Sequence, residues 1–144
     1  MATKIFVNLP VKDLNNSMGF FKSLGFSFNP QFTDETAACM VISEDIYAML
    51  LTHSKFREFT TKEISDSKKN AEVILALSSE SKLKVNETVD KAIKAGGIEP
   101  IQSKDFGFMY QRSFQDLDGH LWEVVWMDPA AINQNEISTH TVEQ

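Results

Sequence analysis

The order of its elements predicts an α+β protein built from a duplicated βαβββ module. Three observations carry this reading. The succession strand, helix, strand, strand, strand occurs twice, and each helix stops at glycine, Gly25 in the first copy and Gly96-Gly97 in the second. The offset between matching landmarks is nearly constant: 68 residues from Val11 to Ser79, 71 from Gly25 to Gly96 and 75 from Thr52 to Met127. A drift of a few residues is what small loop insertions produce, so an internal duplication explains the pattern better than chance does.

The first strand is the β-rich segment KIFVNLPV at 4–11. Asp13 then offers its carboxylate as an N-cap, and Leu14, Met18 and Phe21 recur at helical spacing until Gly25, which suits the left-handed C′ position. A short strand at 26–28 precedes two apolar runs, 37–42 and 46–52, separated by the polar turn Ser43-Glu44-Asp45, and these read as a hairpin. Residues 53–70 are polar and densely charged, a linker with a short helix around Phe56 and Phe59. The second copy begins with the strand EVILALSS at 72–79. Its helix over 82–95 places Val85, Val89, Ala92 and Ile93 on one face and pairs Glu87 with Lys91 and Asp90 with Lys94 on the other. Apolar runs at 106–115 and 120–127 close it, joined by the turn Asp116-Leu117-Asp118-Gly119. These readings give one domain over 1–144: module one at about 4–52, the linker at 53–70, module two at about 71–127 and a polar tail at 128–144 that is expected to fray or pack loosely.

Composition narrows the function. Among 144 residues, 14 Lys and Arg stand against 20 Asp and Glu, a formal charge of −6, which disfavours nucleic acid and anionic membranes as partners because both demand concentrated positive charge. A single cysteine, Cys39, excludes an intrachain disulfide and a thiolate cluster and points to a reducing, cytoplasmic setting. No apolar run approaches the roughly 20 residues of a membrane span, and Met1-Ala2-Thr3-Lys4 lacks the apolar core of a signal peptide. Cys39, between apolar neighbours, reads as a small buried hydrophobe. His53, His120 and His140 have no His or Cys partner at a metal-like interval and read as surface or cap residues. The Asp116-Leu117-Asp118-Gly119 segment lacks the later ligands of a calcium loop and reads as a hairpin turn. No phosphate-binding glycine loop or nucleophile elbow is present.

The opening VKDLNNSMGFFKSLGF and the closing FQDLDGHLWEVVW resemble the two signatures of the vicinal oxygen chelate superfamily, which contains glyoxalase I, extradiol dioxygenases and bleomycin-resistance proteins. The resemblance covers about residues 4–128. It implies that the two modules pair into a cup-shaped, eight-stranded mixed sheet with helices on the outer face, and that the chain forms a homodimer. Open sheets with edges and an exposed cup rim support the second implication. Strand alternation then assigns Phe6, Asn8 and Pro10, Ile74, Ala76 and Ser78, and Leu121, Glu123 and Val125 to the cup. Ile5, Val7 and Leu9, Val73, Leu75 and Leu77, and Trp122, Val124 and Trp126 go to the helix side.

Metal-dependent members of this superfamily place a ligand on the first, fourth, fifth and eighth strands. Here those positions fall on Phe6, on Leu50 (or Ala48 in a register two residues off), on Ile74 and on Glu123. Three hydrocarbons and one carboxylate do not hold a divalent ion, so no metal and no other cofactor is expected. Glu123 in an apolar strand reads either as a general acid or base or cationic-ligand anchor, or as an inherited, solvated residue. Asn8 is a second polar candidate for ligand binding. Tyr110 and Arg112, alternating with Phe114, offer a guanidinium that recognises a carboxylate if they project inward and are surface residues if they do not. Phe28, Phe106 and Phe108 join Phe6 as candidates for the wall of a pocket. The expected function is that of a glyoxalase/bleomycin-resistance-like protein binding a small organic molecule in a metal-free cup walled by Phe6, Leu50 and Ile74, with acid/base chemistry at Glu123. The alternatives are a metal-dependent lyase or dioxygenase with ligands such as Asn8, Glu123 or a partner's histidine, and a degenerate duplicate that serves as an interaction module.

Overall fold

The computed structural model describes residues 2–131, so the polar tail expected from Asp128 onward, with His140, falls largely outside the described residues. Module one comprises β1 (Ile5–Val11), α1 (Leu14–Ser23), β2 (Ser27–Asn29), β3 (Ala37–Val41) and β4 (Ile46–Thr52). A single helical turn, α2 (His53–Phe56), follows. Module two comprises β5 (Ile74–Ser79), α3 (Lys82–Lys94), β6 (Lys104–Asp105), β7 (Met109–Gln115) and β8 (Leu121–Met127). The seventh strand starts three residues later than the apolar run suggests, because Phe106, Gly107 and Phe108 form the turn from β6 into it.

Local chemistry sets the helix ends. The Asp13 carboxylate accepts the Asn16 amide at 3.0 Å, which satisfies one of the free donors of the first turn of α1. Gly25 and Gly96 adopt φ of 102° and 111°, the left-handed conformation that stops each helix at little steric cost. Each module forms one mixed sheet, ordered β1-β4-β3-β2 in the first and β5-β8-β7-β6 in the second. The pairing is parallel between β1 and β4 and between β5 and β8, and antiparallel elsewhere. The identical order confirms the duplicated topology. No ladder joins the two sheets among the described residues, so they remain two four-stranded units with β1 and β5 at free edges.

The helix sides of both sheets feed one apolar cluster. Phe21 of α1 meets Trp122 of β8 edge to face at 5.3 Å between ring centres, Phe20 lies 6.0 Å from Phe114 of β7, and Phe114 stacks on Trp122 at 6.2 Å. Val85, Val89 and Ala92 of α3 close this core with no exposure at all. Each large side chain buried in this way contributes roughly 1.5–3 kcal/mol. Val73, which alternation assigns to the buried set of the fifth strand, instead stands 52% exposed just ahead of β5.

The turn before β8 ties the modules together. The buried carboxylate of Asp116 accepts the amides of Asp118 and His120 and the Trp122 indole N–H, each at 3.0 Å. Asp118 reaches across to accept the Lys12 amide at 2.8 Å, and the His120 ring places Nε2 2.7 Å from the Pro10 carbonyl. A carbonyl only accepts, so Nε2 carries the proton. This is the hairpin turn that the sequence predicts, with an added role as a clasp.

Burial pushes the Asp116 carboxyl above its ordinary 3.8, against the opposing pull of His120 and the three N–H donors. The folded protein therefore takes up this proton more readily than the unfolded chain, and the group's contribution to stability falls as pH rises above 3.8. Urea unfolding of Asp116→Asn, which keeps an oxygen acceptor and removes the charge, is expected to show the wild type losing ground to the variant as pH rises from about 4. Asp116→Ala, which orphans the indole and two amides, is expected to cost about 2–4 kcal/mol near pH 4 and less as pH rises.

Candidate functional site

Register decides which side chains share a face. In module one, Phe6 lies opposite Tyr47, Asn8 opposite Met49 and Pro10 opposite Leu51, and Cys39 is the partner of Met49 on the other side. This is the predicted cup face. Phe6 is 49% exposed, with its ring stacked on Tyr47 at 4.8 Å, and the Asn8 side chain is exposed, its one hydrogen bond a long 3.5 Å donation to the Phe6 carbonyl. In module two, Ile74 lies opposite Leu121, and Glu123 sits between Ala76 and Ser113. Ile74 is 57% exposed, whereas Glu123 is half-buried and receives no hydrogen bond from a described residue. Ser113 beside it is buried, and its hydroxyl has no partner among the described residues. Phe6, Asn8, Ile74 and Glu123 thus take the faces that alternation assigns.

Three expected site residues do not. Leu50 lies opposite Leu9 and is fully buried on the helix side, as is Ala48 opposite Val7. Both belong to the core, and the cup-face residue between them is Met49. The run YAMLLT is apolar on both faces, so its alternation gives no sign of which set points where. Tyr110 and Arg112 follow Phe114 to the helix side of β7, where the Tyr110 hydroxyl donates to Asn86 of α3 at 2.7 Å. The Arg112 guanidinium forms a fork on Glu99, two bonds of 2.9 Å, and reaches Asn86 and Asp90 at 3.0 Å. With these donors spent, and its charge held firmly by the Glu99 carboxylate, Arg112 clasps the 98–103 segment to α3 and does not face the ligand side. Asp90 is drawn to it rather than to Lys94. Phe28 also turns to the core side, opposite Met40, while Phe106 and Phe108 stand exposed.

The four positions at which the fold family carries metal ligands are therefore Phe6, Met49, Ile74 and Glu123. These residues do not fit a divalent ion: two hydrocarbons, one weak thioether and one carboxylate fall short of three firm donors. Among the described residues no group of three or more His, Cys, Asp or Glu is arranged to hold a metal. Cys39 does not help, because burial pushes its thiol up and keeps it protonated.

Since the helix sides share a core, the faces bearing Phe6 and Glu123 are turned away from it, and neither residue lines any of three prominent cavities among the described residues. The most enclosed cavity, about 370 Å³, lies between β1 and β5 under residues 60–72 and includes Asn8 alone of the expected site residues. A more open hollow beside Glu99 includes Tyr110 and Arg112. The sequence reading missed His120, which lines the first cavity and bridges the modules, because an isolated histidine carries no spacing signal.

The duplicated modules and their strand order define a protein with the vicinal oxygen chelate fold, as the two sequence signatures implied. Comparison with known proteins agrees. A family model described as bleomycin resistance protein-like N-terminal matches residues 3–43. The hypothetical protein SA1046 from S. aureus is 25% identical, with a TM-score of 0.74 over 88% of this chain and 94% of that one. A glyoxalase/bleomycin resistance protein/dioxygenase family enzyme from Burkholderia phytofirmans shares the fold at 16% identity and a TM-score of 0.73, over 88% of this chain and 99% of that one. The fosfomycin resistance protein FosX from Listeria monocytogenes does so at 16% identity and 0.65, over 90% and 97%. No curated protein matches the sequence. No helix among the described residues is long and apolar enough to cross a membrane.

Arg112→Ala is expected to lower stability by about 1–3 kcal/mol in urea unfolding, because it leaves Glu99 unpaired in a partly desolvated site. Arg112→Lys should recover only part of this, since an ammonium does not reproduce the fork.

Proposed function

We propose that this protein is a glyoxalase/bleomycin-resistance-like binder of a small organic molecule, held without a resident metal ion on the face that carries Glu123. One observation carries the reading: Glu123 is a half-buried carboxylate without a partner among the described residues, set among Ala76, Leu121 and Val125 on a largely apolar sheet face. Such a group has its full accepting capacity for a ligand, either to hold a donor or cation in register or to take a proton from it. The apolar neighbours supply burial, and the hydrocarbons at Phe6 and Ile74 oppose the metal-dependent alternative.

The same reading calls for a homodimer. Phe6 and Ile74, with Ile5 at 54% and Val73 at 52% exposure, leave apolar side chains in water beside the unpaired edges of β1 and β5. A second copy laid over these faces buries them and roofs the Glu123 face, which a single chain leaves open.

Three measurements test this. Light scattering at micromolar concentration should return twice the 16.3 kDa of one chain, and a value of one chain contradicts the dimer. Elemental analysis of the purified protein should find no stoichiometric nickel, zinc, iron or manganese, and chelator should leave the melting temperature unchanged; one tightly held metal per chain would restore the lyase or dioxygenase reading. For a ligand found by thermal-shift screening, Glu123→Gln should lose at least about tenfold in affinity or rate, roughly 1.4 kcal/mol. Unchanged behaviour would remove Glu123 from the site.

A further inference from the structure

The cavity under residues 60–72 does not include Glu123, although Leu121 of the same strand face reaches its edge, and its chemistry is of another kind. Its walls are the edge strands of the two modules, with Val7 and Leu9 from β1 and Leu75 from β5, and Phe56 and Ile64 close it from the linker side. At about 370 Å³ it falls within the size range of small-molecule sites. Both ends of its roof are fixed. At one end, α2 is capped by Thr52, whose hydroxyl accepts the Lys55 amide at 3.2 Å, and packs on β1 and β4. At the other, Gly119 at φ +90° lies so close to the chain that an added Cβ would stand 2.8 Å from the Ser67 carbonyl and 2.9 Å from the Lys68 amide. The floor is held by the His120 bond to Pro10.

The polar groups select the ligand's charge. The charged residues of the lining are Lys62, Glu63 and Glu72, all exposed, and none forms an ion pair among the described residues. Two carboxylates against one ammonium, on a chain with a formal charge of −6, disfavour an anion. The amides of Asn8 and Asn70 and the hydroxyls of Ser65 and Ser67 are left to serve a neutral polar group. We infer that this roofed cavity is a second binding site, which takes an uncharged, largely apolar organic molecule of one or two rings with a single hydrogen-bonding group, its apolar body against Val7, Leu9, Leu75 and Ile64.

The test titrates the intact protein with N-phenyl-1-naphthylamine, an uncharged probe whose fluorescence rises in apolar surroundings, and in parallel with its anionic relative 8-anilino-1-naphthalenesulfonate. The expected result is saturable binding of one uncharged probe per chain and at least about tenfold weaker binding of the anion. Ile64→Trp and Thr60→Trp fill the cavity from the linker, away from both sheets, and each is expected to weaken the uncharged probe at least about tenfold while circular dichroism stays that of the wild type. The inference is overturned if the uncharged probe does not saturate, if the anion binds equally well, or if either variant, shown to be folded, binds the probe as the wild type does.

Discussion

Trp122 is the joint on which this structure turns. Its indole stacks on Phe114 of its own sheet, takes the edge of Phe21 from the other module's helix, and donates its N–H to Asp116. A carboxylate buried this deeply costs several kcal/mol unless its oxygens are occupied, and here two backbone amides and the indole occupy them. The same turn sends Asp118 to the start of α1 and His120 to the end of β1. One side chain thus joins core packing, turn geometry and the contact between the modules.

The position of the candidate site follows from this joint through strand alternation. With Trp122 and Val124 committed to the shared core, Glu123 between them has to face the other way, and so do its register partners Ala76 and Ser113. In module one, Val7 and Leu9 in the core likewise send Phe6 and Asn8 outward. Two modules that share a core through their helix sides therefore turn these opposite faces away from that core, with Cys39, Leu51 and Ser113 still buried on them and Phe6, Asn8 and Ile74 exposed. The edges of β1 and β5 stay unpaired among the described residues, and the charged linker roofs the gap between them.

Much of this was legible in the residues themselves. Helix ends were visible because a capping Asp and a left-handed Gly act over a single turn. The faces of β1, β5 and β8 were visible because polar residues or bulky aromatics mark one side of each strand. The face of β4 was not, since YAMLLT offers hydrocarbon to both sides and only its parallel pairing with β1 separates Met49 from Leu50. Arg112 and Tyr110 were misplaced for a related reason. A guanidinium is compatible with either face of β7, and the choice was made by Glu99 and by Asn86 and Asp90 on α3, acceptors 13 to 26 residues distant in sequence.

The sequence by itself determined the duplicated βαβββ order, the stops of both helices, the hairpin turn at 116–119 and the face of β8 that carries Glu123, because each rests on local sterics or on strand period. Only the tertiary structure decided that the modules share one core, that Leu50 is part of it, that Arg112 is a clasp, that His120 bridges the modules and that a roofed cavity lies beneath the linker. Those outcomes depend on register and on contacts across as many as 110 residues of chain, and no short-range preference encodes which of several chemically acceptable neighbours a side chain will meet.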